Sequence, residues 1–505
     1  MHPIFQRRKA AAAAAAKRVP VAASAASASG GGVPVPVRAP PTCGISARGY
    51  WASKDGLTER ELADLRAELT MTPIDTGGMG PPAGGGGPPT QFPLYRESPS
   101  RLYVPKYFGL QRWGTPPPER VTLGDGDDIP PERRRFTGRL RDEQLKPIEA
   151  YLDAARDRTR MGGILSLPCG FGKTVAALYI LSALGKRAMV VVHKDFLLNQ
   201  WKDRIAEFLP DVTVGLVKAK TVDVAGKDVV LASLQSLSMK DYDADLFAGV
   251  GVLVIDECHR VGTEVFSRAL NKTNFRYSLG ISATVQRKDG MTKAFVHFLG
   301  AVLFKGKRRE DAVLVVQQGF FDADPAYSRE VTIGFGMHGM AKPNISRMIN
   351  NITEFPRRTA VLVDAVARML LSEPGRRVLV LSDRKAQLRD VQAGLEARGV
   401  DAGFYWGGMK REALAASEAK TVMCATFAYA SEGMDVPGLD TLVLASPKSD
   451  IEQSVGRILR QKADARERTP LVYDIVDQFS LFERQGAKRA AFYRKHAYQI
   501  VDRLP

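Results

Sequence analysis

The sequence predicts an α/β protein made of two parallel-sheet units in tandem, preceded by a disordered N-terminal arm and a small N-terminal extension. Two observations carry this. After Phe136, short runs rich in Val, Ile and Leu alternate with amphipathic helical stretches, the pattern of strands covered on both faces. The runs come in two successive sets. The first holds Gly163–Leu167, Ala188–Val192, Val229–Leu231, Val252–Ile255 and Leu279–Ser282; the second holds Arg377–Leu381, Thr421–Ala425, Thr441–Ala445 and Leu471–Val476. A chain of 505 residues has room for both, since domains run to about 100–200 residues each.

Residues 1–53 are rich in Ala, Ser, Gly and Pro, with scattered Arg and Lys and no acidic residue before Asp55. Such a segment buries too little apolar surface to offset chain entropy and is expected to be disordered. It reads as a flexible basic arm, with an organelle transit peptide as the alternative. Residues 54–133 form the extension. A helical period over Leu57–Leu69 is followed by a Gly/Pro linker, Thr76–Pro89, and then by Phe92–Gly114. There Tyr95, Tyr103, Tyr107, Phe108 and Trp113 alternate with Arg96, Arg101, Lys106 and Arg112. Such interleaving stacks bases and holds phosphates, or it packs the extension onto the body. The loop Thr115–Pro131 leads to the first α/β unit, 134–310. A connector with strands of its own, 311–345, precedes the second unit, 346–505.

A hydrophobic fraction of 45% and a charged fraction of 25% are ordinary for a globular protein and name no function. The net charge of +17 says more. Residues 1–135 hold about +6 of it and the remainder about +11, so the folded part is itself basic. A basic surface attracts polyanions, nucleic acid above all through counterion release; a merely solvated surface is the alternative. Cys43, Cys169, Cys258 and Cys424 show neither CxxC nor Cys/His metal spacing and read as free thiols of a reducing, intracellular compartment. No apolar run approaches the roughly 18–20 residues that cross a bilayer, so no membrane is expected.

The chemistry concentrates at two places in the first unit. The strand GGILSLP runs into CGFGKT and then into a helix, the context a phosphate loop requires. Gly170 and Gly172 let the backbone wrap close to phosphates, while amides and the helix start supply donors. Lys173 is placed to reach the β- and γ-phosphates of ATP, and Thr174 to hold Mg²⁺. Leu167 stands where the strict pattern has its first glycine. The strand GVLVIDECH ends in Asp256 and Glu257, two carboxylates at the sheet edge where α/β folds bind ligands. Asp256 is expected to position Mg²⁺ through water, and Glu257 to orient and deprotonate the attacking water.

These segments resemble motifs of superfamily-2 helicases, whose two domains are RecA-like. DECH, Asp256–His259, looks like motif II, and GISAT, Gly280–Thr284, resembles motif III. LRDEQ, Leu140–Gln144, resembles the segment whose glutamine, here Gln144, reads adenine. Val191–Trp201 resembles motif Ia and Ser233–Leu237 motif Ib. Ala425–Pro437 is similar to motif V, and Gln453–Arg460 to motif VI. Motif III continues as VQRKDGM, Val285–Met291, without the proline common in relatives. The run Arg287–Gly290 resembles XPB-like DNA helicases and those of nucleocytoplasmic large DNA viruses. The segment LYVPKYFGLQRWG and the C-terminal SLFERQGAKRAAFYRKHAYQI look most like the viral group. In poxviruses this branch includes a DNA-dependent ATPase that releases transcripts.

The resemblance implies further roles. Arg457 and Arg460 would act as arginine fingers on the γ-phosphate, where a guanidinium stabilises developing charge. Gly433 and Asp435 would contact ribose and help couple it to nucleic acid. Ser282 and Thr284 would link the ATP site to the nucleic-acid face, although strand capping also suits them. His259 would sense the γ-phosphate or bond across the domains. Lys194, Gln235 and Thr426 would contact a nucleic-acid backbone, in binding that is salt dependent and nearly indifferent to sequence. The implied function is an ATP-dependent DNA helicase or translocase, working with transcription or replication machinery. The implied location is a nucleus, viral factory or virion. An RNA-remodelling helicase and a non-catalytic ATP-gated clamp remain alternatives, the clamp disfavoured by the presence of Lys173, Glu257 and Arg457 together.

Overall fold

A computed structural model describes residues 40–72, 91–168, 170–243, 245–258, 264–283, 291–307, 311–335, 341–434, 436, 438–461 and 465–501, with 334, 335, 341, 342 and 431–433 described by backbone alone. The chain divides into two compact units, Met1–Leu167 with Lys173–Gly306, and Lys307–Pro505 with Pro168–Gly172.

The first unit opens with β1 (Cys43–Ser46), β2 (Gly49–Ser53), α1 (Glu59–Glu68), β3 (Thr70–Met71), β4 (Phe92–Pro93), β5 (Arg96–Glu97), β6 (Arg101–Val104) and α2 (Lys106–Trp113). Strands β1, β2, β6 and β5 form an antiparallel sheet in that order. This corrects the expectation that the disordered arm reaches residue 53: Cys43–Ser46 and Gly49–Ser53 are strands, and of that arm residues 1–39 lie outside the described residues. The reason is alternation. Tyr50 and Ala52 on β2, with Leu102 and Val104 on β6, face the core, each at most 2% exposed. A capping box starts α1, with the Thr58 side chain accepting from the Glu61 amide while the Glu61 carboxylate accepts from the Thr58 amide.

The aromatic–basic segment resolves largely into packing. Phe92, Leu94, Leu102, Val104 and Phe108 join the same core cluster as Ile164, Met189 and Phe295 of the main sheet and its helices. Lys106 is buried, its Nζ donating to the carbonyls of Phe275 and Arg276, both at 2.8 Å. The Tyr107 hydroxyl donates to the Met161 carbonyl at 3.1 Å.

The body of this unit continues through α3 (Asp142–Arg156), β7 (Gly162–Ser166), α4 (Lys173–Leu184), β8 (Ala188–Val192), α5 (Asp195–Phe208), β9 (Val214–Lys218) and β10 (Thr221–Asp223). It ends with β11 (Val229–Ser233), α6 (Leu234–Met239), β12 (Val252–Asp256), α7 (Glu264–Leu270), β13 (Tyr277–Ser282), α8 (Thr292–Leu299) and β14 (Val302–Lys305). The eight strands run β10-β9-β11-β8-β12-β13-β7-β14. Every pairing is parallel except the edge hairpin β9–β10. The central strands β7, β8, β11 and β12 are buried at every position. Helices on both faces require this, which is why those strands are uninterrupted apolar runs.

The second unit contains β15 (Leu314–Phe320), α9 (Pro325–Ser328), β16 (Thr332–Phe335), β17 (Ala341–Pro343), α10 (Ile345–Glu354), α11 (Pro356–Ser372), β18 (Val378–Ser382), α12 (Lys385–Glu396) and β19 (Ala402–Tyr405). It continues with α13 (Arg411–Glu418), β20 (Val422–Thr426), α14 (Phe427–Gly433), β21 (Thr441–Leu444), α15 (Glu452–Val455), β22 (Leu471–Asp477), α16 (Ser480–Lys495) and β23 (Gln499–Val501). Its seven strands, all parallel, run β19-β20-β18-β21-β22-β15-β23. The expected connector 311–345 is therefore not only a linker. Its β15 is an inserted strand of the second sheet, and only β16 and β17 form a separate hairpin. A buried ion pair fixes this unit, with Arg358 donating to Asp477 through Nε at 2.7 Å and Nη2 at 3.0 Å. The Asp477 carboxylate also accepts from the Tyr327 hydroxyl at 2.7 Å, so the buried charges are paired and bonded, as burial demands.

Candidate functional site

Asp256, Glu257, Lys173 and Ser282 of the first unit collect at the carboxyl edge of its sheet. Strands β12, β13 and β7 are consecutive neighbours, and their register sets Asp256 beside Ile281 and Ser282 beside Ser166. The end of the acidic strand therefore lies one strand away from the start of the Gly-rich loop. Gly170 (φ 77°) and Gly172 (φ 79°) occupy the left-handed region, which glycine enters without steric cost. Lys173 opens α4 directly after them. Leu167, in place of the usual glycine, is fully buried, and its amide donates to the Ser282 carbonyl at 2.8 Å. The position still belongs to the sheet rather than to the wrapped loop, which explains how an apolar side chain fits there.

Lys173 Nζ lies 3.2 Å from Glu257 Oε1. Glu257 has φ 49°, a left-handed conformation that strains a residue with a side chain and turns it out of the line of β12. Asp256 is buried, with Oδ2 accepting from Trp201 Nε1 at 2.8 Å and Oδ1 from the Glu257 amide at 2.9 Å. Burial, and then the charge of Glu257, push the Asp256 carboxyl well above its ordinary range, against the pull of the Trp201 bond and Lys173. Burial likewise pushes the Cys258 thiol up to about 12, where it behaves as an inert apolar group bonded to the Ser282 side chain. Ser282 thus meets the end of β7 through its carbonyl and the residue after the acidic pair through its side chain.

The donor set fits magnesium. Asp256 ends β12 and Thr174 lies in the first turn of α4, and both carry oxygen donors of the kind magnesium takes. Magnesium takes one or two protein oxygens and fills its other positions with water and phosphate. Groups of three or more His, Cys, Asp or Glu that could form a protein cage are absent among the described residues.

Gln144 is 2% exposed, and its Oε1 accepts from the Arg141 amide at 2.9 Å, closing the start of α3. Lys194 is the residue capping α5, and Gln235 on α6 donates to the carbonyl of His193 at 2.8 Å. The neighbouring ends of β8 and β11 thus bring Lys194 and Gln235 together. Thr426 lies in the second unit, capping α14. In that unit Arg457 Nη1 and Arg460 Nη2 converge on the Met434 carbonyl, at 2.6 and 2.5 Å. Gly433 ends α14. His259, Thr284, Asp435 and the run Arg287–Gly290 lie outside the described residues.

Sequence reasoning missed Trp201 and Cys258. The signal for Trp201 was present, since Leu197, Leu198, Trp201 and Ile205 form the buried stripe of α5 and point the indole beneath β12. No pattern marks Cys258 apart from its place after the acidic pair.

A phosphate-loop α/β fold with paired carboxylates at the same sheet edge defines the class of nucleotide-hydrolysing proteins. Residues 137–287 match the family described as "Type III restriction enzyme, res subunit". Over 460 residues the chain is 31% identical to a protein of Acanthamoeba polyphaga mimivirus, provisionally named an ATP-dependent RNA helicase, covering 90% of this chain and 86% of that one. It is 30% identical over 236 residues to a provisionally named helicase of invertebrate iridescent virus 3, covering 46% of this chain and 71% of the other. A provisionally named ATP-dependent RNA helicase of African swine fever virus is 25% identical over 372 residues, 66% of this chain and 69% of its own. The chain belongs to the superfamily-2 helicases, in the group found in large DNA viruses: it is a nucleic-acid-dependent ATPase. Among the described residues no helix is long and apolar enough to cross a membrane.

Proposed function

We propose that the protein is an ATP-driven DNA helicase or translocase, using Mg²⁺ and acting within the transcription or replication machinery. The observation that carries the ATPase part is the 3.2 Å contact between Lys173 and Glu257 beside the buried Asp256. An incoming γ-phosphate competes with Glu257 for Lys173. Displacement would release Glu257 to accept a proton from the attacking water. Asp256 and Thr174 would hold magnesium, which when bound offsets phosphate charge. Gly170 and Gly172 would wrap the phosphates, Gln144 would read adenine, and Gly433 and Asp435 would contact ribose. Arg457 and Arg460 would stabilise charge on the transferring phosphoryl group. Ser282, Thr284 and His259 would couple this chemistry to backbone contacts at Lys194, Gln235 and Thr426.

DNA as substrate is supported by the Arg287–Gly290 run of the XPB-like branch. The names of the mimivirus and swine fever virus relatives favour RNA as the second reading. The test is steady-state ATPase activity with no polymer, single-stranded DNA, duplex DNA or RNA, with Lys173→Ala as control. Lys173-dependent stimulation by DNA alone is expected. RNA-selective stimulation would overturn the DNA assignment, and the absence of turnover with every polymer would point to the clamp.

A further inference from the structure

The outward face of the small N-terminal sheet carries a feature that ATP chemistry does not use. Directly opposed residues of an antiparallel sheet share a face, and the register aligns Gly44, Trp51, Tyr103 and Arg96 in one row across β1, β2, β6 and β5. The next outward position pairs Ser53 with Arg101. A Cβ on Gly44 would sit 2.3 Å from the Trp51 ring, so the missing side chain lets the indole lie flat across β1. The Arg101 guanidinium lies 4.0 Å from the Trp51 ring centroid. Arg48, from the β1–β2 turn, stands 6.0 Å from that of Tyr103. Arg48, Arg96 and Arg101 are all exposed, and Tyr103 is half-buried between them.

The nearby carboxylates are engaged elsewhere. Glu97 pairs with Lys54 at 2.5 Å and with Arg66 at 2.7 Å, and Asp241 pairs with Lys272 at 2.9 Å. Among the described residues none of the three arginines has an ion pair within 4.0 Å. Loss of solvent and then the charge of Arg48 hold the Arg96 guanidinium below its ordinary value, with Asp241 only partly opposing them. Clustered guanidiniums without carboxylate partners are unfavourable in the free protein and become favourable when a polyanion neutralises them. Flat rings interleaved with guanidiniums suit a polyanion that also carries planar groups.

We infer that this sheet face, through Arg48, Arg96 and Arg101 around Tyr103, is a second nucleic-acid contact, apart from the contacts proposed on the main sheets. It requires that the protein bind nucleic acid, which family membership gives, but not that the polymer be DNA.

The test uses the full chain and equilibrium binding of labelled duplex DNA and single-stranded RNA across a salt series. The triple variant Arg48→Gln/Arg96→Gln/Arg101→Gln is expected to bind both more weakly. Its log–log salt slope on duplex DNA should be shallower by about 2.7, from three phosphate contacts at about 0.9 each. Because Arg101 covers Trp51, the pair Arg48→Gln/Arg96→Gln guards against lost folding and should lower the slope by about 1.8. Unstimulated ATP turnover should be unchanged in both variants. Unchanged slopes and affinities would overturn the inference. So would wild-type binding of polyglutamate as tight as that of nucleic acid and lost in the same variants, which would make the face a docking site for acidic protein. Failure of DNA-selective ATPase stimulation would sink the translocase proposal and leave these slopes to decide this one.

Discussion

At the scale of single residues, Glu257 is the most constrained of the candidates. It adopts a left-handed backbone, touches Lys173 and raises the proton affinity of Asp256. Strain of about 1–3 kcal/mol per such residue persists only where surrounding structure over-determines it. Glu257→Gln is expected to lower ATP turnover by about 10²–10⁴, the usual worth of a general base. It should bind nucleotide at least as tightly as the parent, because Lys173 loses a competing carboxylate. Parental turnover in a steady-state assay would refute the assignment. Lys173→Ala should fail to bind nucleotide in equilibrium dialysis, which separates the two roles. A milder expectation concerns Asp256→Asn. It removes a buried like-charge interaction, so the nucleotide-free variant should melt higher than the parent while losing activity.

Elements show which parts of the fold were readable. Strands β7, β8, β11 and β12 were legible because burial on both faces leaves an unbroken apolar run. The strands β1 and β2 were not, because their alternating residues sit at the end of a long Ala/Ser/Gly/Pro stretch whose composition dominates any window. For β15 a strand in the connector was legible but its place inside the second sheet was not, because LVVQQGF mixes polar and apolar residues. The phosphate loop and acidic strand were legible as motifs. The bond from Trp201 to Asp256 was not, since it joins elements far apart in sequence. Lys106 is the plainest case. Its alternation with aromatics left phosphate binding and packing both open, and burial pushes its ammonium down to about 7 from an ordinary 10.5, with Arg276 adding repulsion. A neutral amine still has two N–H groups for the two carbonyls it meets. Between pH 7 and 10.5 the unfolded chain binds a proton that the folded one releases, so this residue makes stability rise with pH across that window. The slope is at most about 1.4 kcal/mol per pH unit. Below pH 7 the contribution is flat. Lys106→Met should remove that part of the rise in thermal melts at pH 7 and pH 9, and an unaltered pH dependence would show that Lys106 stays charged when folded.

For the whole molecule, the N-terminal sheet and the main sheet of the first unit share one hydrophobic cluster, so the extension is part of that unit's core rather than an appendage. Residues 1–39 precede every described element. Deleting them is expected to leave polymer-stimulated ATPase activity within about twofold, since their Ala/Ser/Gly/Pro-rich composition offers little apolar surface to bury. Extending the deletion through Ser53 removes Ile45, Tyr50 and Ala52, each at most 1% exposed, and should cost solubility or activity outright. Equal behaviour of the two deletions would mean that β1 and β2 contribute nothing to the core.

The placement of β15 also has a consequence during synthesis. Its neighbours on both sides, β22 and β23, come later in the chain than every other described strand of that sheet. At about 5–20 residues per second, Leu314–Phe320 wait on the order of ten to thirty seconds for the first of them. Through that interval a strand with two open edges is exposed to other nascent chains. The second unit is thus a clasp that only its own C-terminal end can fasten, and any ribosome that stalls before Leu471 releases a chain primed to aggregate.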